Sequence, residues 1–561
     1  MFSGRGRRVA ACTALALSAG MLLSTPASAG TPAPVASAEK QAPSFMPPKQ
    51  LPRPGQDGAR AGAAAAEAGS PLLSDLNVDG IEDFIFRTID GGLYTDVSPE
   101  AFELHRYAEG VAKDIIPIGD QGGDTAEPEI LVLSEDGTLT LYQDADETGT
   151  PYQYRVGGGW QIYNKVVSPG DVNGDGRADV FARTLDGQTF LYLATGDLAK
   201  PLSTRISVGG GWHVYDQIVG VGDGNGDGKA DLYARDYTGT LWWYAGTGST
   251  SKPFGTRRAI GSGWNTYNQI LPGGDGSLFA RDNTGTMYSY APKGDGTLAG
   301  RQMYGNAGDF EAIAQFAGAG SNPYTGKEGV LGRDSQGTLW WYYNNTKGGL
   351  YPREDLFQSP GLFQGVNYTH LSSMNPDASS DIAEVTGGVL YIEGEEIGSG
   401  WGVYNTLVGP GDLSGDGKAD LLARDKSGVL YLYKGNGQGT ALATRIRVGS
   451  GWGAYNKILG AGDYTGDGRN DLLARTTGGD LYLYRGTGKD TAPFGARERI
   501  GGGWNTYKHL AAPGDLNADG KADLLGVTSA GDLYRYLGTA PNKFSNRGWL
   551  GKGYQIYNTF S

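Results

Sequence analysis

Six segments of the 561-residue chain carry aspartates at fixed offsets, in the pattern Asp-x-(Asn/Ser/Thr)-x-Asp-Gly-x-x-Asp. They are Asp75/Asn77/Asp79/Asp83, Asp171/Asn173/Asp175/Asp179, Asp223/Asn225/Asp227/Asp231, Asp412/Ser414/Asp416/Asp420, Asp463/Thr465/Asp467/Asp471 and Asp515/Asn517/Asp519/Asp523. Three carboxylates within nine residues repel one another unless a cation lies between them. Odd positions of a tight loop point inward together, and glycine at position six lets the backbone reverse so that a carbonyl also faces in. The donors are all hard oxygens, which selects calcium over zinc or copper. The spacing is similar to an EF-hand loop, but the last acid falls at position nine and a strand follows, so no flanking helices are expected. The competing reading is that Asn-Gly-Asp-Gly is simply good turn chemistry. Turn formation alone does not ask for three aspartates at the same offsets six times.

These loops recur because the chain repeats from about Leu72 onward. A unit reads Gly-Trp-x-x-Tyr, an apolar stretch, Gly-Asp, the acidic turn, Leu-x-Ala-Arg, a glycine turn, Leu-Tyr-x-Tyr and Gly-x-Gly. Successive motif tryptophans lie 52 and 52 residues apart at Trp160, Trp212 and Trp264, then 51 and 52 apart at Trp401, Trp452 and Trp504. Short period-two stretches such as Leu430-Tyr431-Leu432-Tyr433, separated by glycine turns, predict about four antiparallel strands per unit. The expected fold is all-β, a β-propeller of about ten blades. Turn positions or their remnants fall near 75, 120, 171, 223, 275, 318, 375, 412, 463 and 515. They divide the repeat region into a first propeller, 71–316, and a second, 317–561, each of five blades. Arg301 to Phe316 and Arg547 to Phe560 each begin a further unit and are placed to close a ring on its first blade, hiding an edge. One large ring is the alternative. The unit at Gly273–Ser277 has lost most of the loop and is expected to be metal-free; those at Asp120–Asp124, Ser321–Tyr324 and Asn375–Asp377 are degenerate and are assigned no metal.

Gly170-Asp171-Val172-Asn173-Gly174-Asp175-Gly176-Arg177-Ala178-Asp179 resembles the FG-GAP/VCBS-type repeat of integrin-α-like propellers. Gly263-Trp264-Asn265-Thr266-Tyr267-Asn268-Gln269-Ile270 is similar to the tryptophan strand of tachylectin-like five-bladed lectins. Together the two patterns cover nearly all of 71–561. The repeat style also resembles exported actinobacterial propellers, some of which act as lectin-like targeting parts of secreted assemblies such as the umbrella toxin particles. The resemblance implies a lectin-like, multivalent carbohydrate binder with glycan as partner. It also implies other secreted subunits docking through the N-terminal linker. The alternative is an integrin-α-like adhesin or protein–protein scaffold.

Repeated tryptophans suit stacking on sugar faces, which makes Trp160, Trp212, Trp264, Trp401, Trp452 and Trp504 the carbohydrate-binding candidates. The other reading is packing of one large ring in every blade. Asn164, Asn268, Asn405 and Asn456 are placed either to bond sugar hydroxyls or to cap a strand. The pairs Trp242-Trp243 and Trp340-Trp341 point to opposite faces, so one ring of each is expected at the surface. Arg183, Arg235, Arg281, Arg424 and Arg475 are expected to pair with nearby aspartates and tie blades together. Four singly scattered histidines and no nucleophile elbow, zinc-protease or phosphate-loop motif point away from an enzyme.

Arg5, Arg7 and Arg8, an apolar run from Val9 to Leu23 and Ala27-Ser28-Ala29 read as a signal peptide, 1–29, and hence as a secreted protein. The run is too short for a transmembrane segment. Residues 30–70 form a Pro/Ala-rich linker. Cys12 is the single cysteine, so the mature chain has no disulfide and relies on packing or bound ions. Losing the leader's three arginines takes the net charge from −14 to −17. Six Ca²⁺ would bring it to about −5. An acidic chain is a poor nucleic-acid partner.

Overall fold

The computed structural model describes residues 71–561, apart from 90–91, 99, 105–111, 123–124, 151, 275, 321–326, 328, 376–378, 461 and 540–541. The signal peptide and linker expected at 1–70 lie outside the described residues. So do parts of the degenerate turns at 120–124, 273–277, 321–324 and 375–377.

The fold is all-β: nine four-stranded antiparallel sheets and one of three strands follow one another along the chain. Unit 3 shows the plan, with strands Tyr163–Gly170, Asp179–Thr184, Thr189–Tyr192 and Ile206–Gly209 hydrogen-bonded in sequence order. Burial falls steadily across it. The first strand is buried at every position, and the fourth alternates between half-buried and exposed. The same gradient runs through unit 4, from Tyr215–Gly222 to Arg258–Gly261. Leucine, valine and isoleucine alternate in the middle strands, and apolar clusters span neighbouring units, as where Ile116, Leu131 and Leu141 of unit 2 meet Val166, Val180 and Ala182 of unit 3.

Two late strands return to early sheets. Ile313–Phe316 pairs antiparallel with Ile85–Thr88 of unit 1, setting Phe86 opposite Phe316. Tyr557–Phe560 pairs with Gly329–Asp334 of unit 6, setting Gly332 opposite Phe560. First strands of successive units are also joined side by side. Gln217 Nε2 donates to the Asn268 carbonyl, Gln269 Nε2 to that of Ala314, and Gln315 Nε2 to that of Lys113.

The arginine of Leu-x-Ala-Arg links one unit to the next, chiefly through backbone carbonyls. Arg183 Nη1 donates to the carbonyls of Trp212 (2.9 Å) and Tyr215 (2.6 Å). Arg235, Arg424 and Arg475 repeat the contact on Trp264/Tyr267, Trp452/Tyr455 and Trp504/Tyr507. Among the described residues the expected aspartate partner is present only at Asp216, which holds Arg235 by two bonds. Elsewhere Asn164, Asn268, Asn405 and Asn456 accept from the arginine Nε. Those asparagines are structural acceptors between strands.

Candidate functional site

The acidic loops are organised by their own backbone amides. In the 171–179 loop, Asp171 Oδ1 accepts from the N–H of Asn173 and Gly174, and Oδ2 from Gly176 at 2.6 Å. Asp175 Oδ1 accepts from Arg177 N–H. Gly176 sits at φ +88°, a conformation that side chains with a Cβ resist, and the position-six glycines Gly80, Gly228, Gly417, Gly468 and Gly520 do likewise. The ninth-position aspartate spans the loop and the next turn. Asp179 takes the N–H of Val172 on one oxygen and that of Ala194 on the other. Asp231, Asp471 and Asp523 make the equivalent two bonds.

Positions three and five differ from the ready-made ligand set that the pattern predicts. Asn77 and Asn225 turn Oδ1 onto the N–H of Asp79 (3.0 Å) and Asp227 (2.8 Å), as Asn173 does for Asp175. The Asp79 carboxylate stands exposed and accepts from Asn77 Nδ2 at 3.4 Å. Ser414 and Thr465 use their hydroxyls as donors, to Asp412 Oδ1 at 3.4 Å and Asp463 Oδ1 at 3.1 Å. Asp416 accepts from Lys418 N–H and lies 3.3 Å from Lys434 Nζ. The reason is local. A tight turn leaves its amides without strand partners, and the nearest side-chain oxygens take them. Asn77, Asp79, Asn225, Ser414, Asp416 and Thr465 are therefore committed to the loop's own bonds, and ligation would have to share or replace those bonds. Among the described residues no three acidic or histidine side chains converge into a cage as they stand.

Charge is nevertheless poorly compensated in these loops. Burial pushes the carboxyls of Asp83, Asp179 and Asp231 up to about 7 and that of Asp420 up to about 8. Asp463, raised to about 6, and Asp515, raised to about 7, are lifted by burial and then by the neighbouring Asp467 and Asp519. Two predicted ligand oxygens, Asp420 Oδ1 and Asn517 Oδ1, are buried without a hydrogen-bond partner. Lone pairs left idle and carboxylates crowded together are what a hard cation would relieve, so the donor set fits calcium. Asparagine and carbonyl oxygens of the same loops have to complete a cage.

The loops of the two segments differ in setting. Asp175 and Asp227 are exposed. The 463–471 and 515–523 loops instead press on the first segment. Tyr237 OH donates to the Gly466 carbonyl (2.8 Å), Asn164 Nδ2 to that of Asp467 and Asn268 Nδ2 to that of Asn517 (2.6 Å). Lys521 Nζ lies 3.6 Å from Asp216 Oδ2. A cavity of about 440 Å³ opens at the same joint, lined by Lys113, Glu135 and Asp186 from one side and Asp412, Arg469 and Asn470 from the other.

The six motif tryptophans are packing residues in this structure. Each starts a 3₁₀ turn after a glycine at φ +82° to +92°, Gly503 and Gly400 marking the limits. The turn lays the indole against a tyrosine of the third strand. Centroid separations are 4.6 Å for Trp160–Tyr192, 4.7 Å for Trp212–Tyr244 and 4.6 Å for Trp264–Tyr290. Trp401–Tyr433, Trp452–Tyr484 and Trp504–Tyr536 are spaced at 4.7, 4.8 and 4.8 Å. Trp401 keeps 6% of its surface and Trp160 8%, so neither offers a face to a sugar; Trp212 is half-buried.

A different element recurs at the surface. In seven units an arginine stacks on a third-strand ring, six of them from the residue before the outer strand and Arg497 from within it. The pairs are Arg205–Phe190, Arg257–Trp242, Arg301–Tyr288, Arg353–Trp340, Arg445–Tyr431, Arg497–Tyr482 and Arg547–Tyr534, with guanidinium carbons 4.0 to 4.9 Å from the ring centres. Six of them also donate to a first-strand tyrosine hydroxyl, on Tyr163, Tyr215, Tyr267, Tyr557, Tyr404 and Tyr455. That hydroxyl is itself paired with a second hydroxyl, such as Tyr215 with Tyr244 at 2.6 Å. Trp242 and Trp340 are thus the half-exposed members of the two tryptophan pairs, while Trp243 and Trp341 are buried. Two outer-strand rings are exposed, Tyr152 at 62% in another unit and Trp549 at 56% beside Arg547, its Nε1 donating to Asp532 Oδ1 at 3.3 Å. The sequence signal for this element, an arginine before each outer strand and Leu-aromatic-x-Tyr on the third, is visible as repetition but names no partner for either residue.

Sheets and loops together define a tandem repeat protein built of four-stranded, blade-like β units. Four segments, 127–182, 171–234, 412–474 and 463–526, match the FG-GAP-like repeat. No curated protein matches the chain. Among solved structures it is similar to an Agrocybe aegerita lectin described by its specific recognition of non-reducing terminal N-acetylglucosamine. The identity is 16%, over 81% of this chain and 95% of the lectin, with a TM-score of 0.23. An overlay that loose carries no argument about ligand.

Proposed function

We propose that the chain is a secreted, calcium-binding β-propeller protein, not an enzyme, that binds cell-surface or cell-wall carbohydrate through several weak, equivalent sites. The observation that carries this reading is the recurrence, at the outer edge of seven units, of an arginine stacked on a half-buried third-strand ring, anchored in six of them on a first-strand tyrosine hydroxyl. Sugars offer hydroxyls and flat C–H faces, and a rim of fixed donors beside open rings such as Trp549 answers both. Repetition makes avidity available, with a gain of about 10²–10⁴ over a single site when several engage together. The two returning strands support two five-bladed rings, 71–316 and 317–561. The apolar start of the chain supports export, and the linker at 30–70 supports docking to other subunits of a secreted toxin assembly.

Calcium, held by the six aspartate loops, would supply charge neutralisation and loop order. His370 and His509 are both buried against backbone carbonyls, which leaves neither poised for proton transfer. The test is a glycan array with and without EGTA, competed by free sugar. Specific, competable signal supports the reading. Silence on the array together with capture of one defined protein would replace it with the adhesin or scaffold alternative, which the FG-GAP-like repeats favour.

A further inference from the structure

The clamped arginines have an unusual electrostatic situation. Among the described residues none of the seven takes part in an ion pair. This holds in a chain with 61 acidic and 47 basic residues. Acids are within local reach, since on the same outer strand Arg499 pairs with Asp480 and Arg485 with Glu498. The clamped positions form no such pair among the described residues, although Asp334, held on the Trp340 indole, acts on Arg353 from further off.

Each is also held still by its contacts. Arg257 lies 4.1 Å over the Trp242 ring and donates to Tyr215 OH at 2.5 Å; Arg445 lies 4.6 Å over Tyr431 and donates to Tyr404 OH at 3.0 Å. In the six that reach a tyrosine hydroxyl, one face of the guanidinium and the donor turned to the tyrosines are used. At the exposed Arg205, Arg257, Arg301, Arg445, Arg497 and Arg547 the remaining N–H groups form a positioned fork at the outer edge; Arg353 is half-buried. A planar fork with fixed orientation matches the two oxygens of a carboxylate, sulfate or phosphate, and its conformational cost of binding has already been met by the fold.

We infer that these forks bind oxyanions carried on sugars, so that the carbohydrate is an acidic polysaccharide whose charged groups repeat along the chain. The inference rests on the carbohydrate reading and adds the class of glycan. It reconciles an acidic protein with an anionic ligand through local placement: eighteen of the aspartates lie in the six loops, Asp480 and Glu498 are paired with Arg499 and Arg485, and Asp236 and Asp334 are occupied by the indole N–H groups of Trp242 and Trp340.

The experiment measures binding of the full chain, in calcium, to polygalacturonate, dextran sulfate, a glycerol-phosphate polymer, neutral dextran and a neutral glycan array, at 50 and 300 mM salt. Acidic polymers are expected to bind at least tenfold more tightly than neutral dextran and to weaken with salt. The order among the three polymers names the anion. The triple variant Arg205→Gln, Arg257→Gln, Arg445→Gln should lose at least tenfold on acidic polymers at an unchanged melting temperature. The corresponding Lys variant should not recover it, since lysine keeps charge but lacks the fork. Equal binding of acidic and neutral polymers, an unaffected triple variant, full rescue by lysine, or duplex DNA bound as tightly as polygalacturonate each overturn the inference. Binding to neutral glycans alone overturns it and leaves the carbohydrate reading standing, whereas no binding to any glycan removes both.

Discussion

Removing the Arg235 side chain, as Arg235→Met, tests the linkage between units at its most highly charged point. The side chain is 2% exposed and its guanidinium forms four bonds: to the Trp264 and Tyr267 carbonyls of the next unit at 3.1 and 2.5 Å, and to both oxygens of Asp216 at 2.9 and 2.8 Å. Methionine retains the apolar stem. It leaves two carbonyls without their donor and Asp216 with Lys521 at 3.6 Å as its paired cation, Lys165 acting from further off. Breaking a buried pair from one side typically costs about 3–5 kcal/mol, because the surviving charge stays buried. Asp216→Asn is the internal control. Units 3, 5, 8 and 9 already hold their arginine with an asparagine, at 2.9, 3.1, 3.0 and 2.9 Å, so the exchange should cost about 1 kcal/mol, the scale of one ordinary hydrogen bond.

The pH dependence follows from the pair. Burial alone would raise the Asp216 carboxyl, but Arg235 and Lys521 outweigh it and hold it below the ordinary carboxylate value. Its stabilisation is therefore complete above the ordinary aspartate pKa and lost as pH falls through the lowered one. The Arg235→Met penalty should then shrink toward acid pH, where Asp216 in the variant protonates. Urea unfolding in constant calcium, followed by tryptophan fluorescence, reads both. A penalty below about 1 kcal/mol for Arg235→Met, or equal penalties for the two variants, would refute the reasoning.

Without calcium, the loop carboxyls raised to about 6–8 bind protons in the folded chain that the unfolded chain has released, so stability should fall as pH rises from about 4 to 7. His509, held down to about 4 by burial, acts oppositely but is outnumbered. Melting in EGTA should therefore be higher at pH 5 than at pH 7, and calcium should reverse the order; an unchanged melting temperature on chelation removes the metal reading. Trp452→Ala should cost about 3–5 kcal/mol and leave glycan binding per folded molecule intact, whereas Trp549→Ala should cost under about 0.5 kcal/mol and weaken binding. Gly531→Ala would set a Cβ 1.7 Å from Gln555 Oε1 and 2.9 Å from its backbone nitrogen at φ +88°, whereas Gly503, at φ +82°, has open space around it. Thermal unfolding should show Gly503→Ala costing about 1–2 kcal/mol, the left-handed strain alone, and Gly531→Ala costing more.

What the sequence makes legible is whatever repeats at short range. Strand periodicity, the acidic turn and the glycine before each motif tryptophan are local, and each maps onto the structure at the residues that announce it. The four-stranded unit and the FG-GAP-like repeat are readable for that reason. Partner choice across units is not. Asn164 and Asn268 have the look of caps or sugar ligands, and their role as acceptors for Arg183 and Arg281 depends on which strand lies alongside. The tryptophans carry two readings because a ring that packs and a ring that stacks on sugar have the same composition signal. Only the 4.6–4.8 Å tyrosine partner shows that Trp160 and Trp452 have spent their faces on the fold. Spacing alone also makes every odd loop position look like a ligand. Asn225 and Thr465 instead bond inside the turn, and the oxygens of Asp179 and Asp523 serve amides on both sides of it, which makes the loop's shape partly independent of any ion.

That division of labour within the loops bears on how an ion would act. Where position nine gives both oxygens to amides, as at Asp179, Asp231, Asp471 and Asp523, a cation gathers chiefly positions one, three and five, whose surroundings differ between segments; Asp420, with Oδ1 idle, keeps position nine as a ligand. In 171–179 and 223–231 the fifth residue, Asp175 or Asp227, faces solvent, and water screens the crowding of its carboxylate. In 463–471 and 515–523 Asp463, Thr465 and Asn517 are buried, and the loop carbonyls of Gly466, Asp467 and Asn517 hold Tyr237, Asn164 and Asn268 of the other segment. Electrostatic crowding costs most where water is excluded. Loss of the ion should therefore be felt first as loosening of this joint rather than as unfolding of the exposed turns. The outer-edge arginines lie at the fourth strands, outside those loops, so each segment is expected to retain ligand while the two segments part.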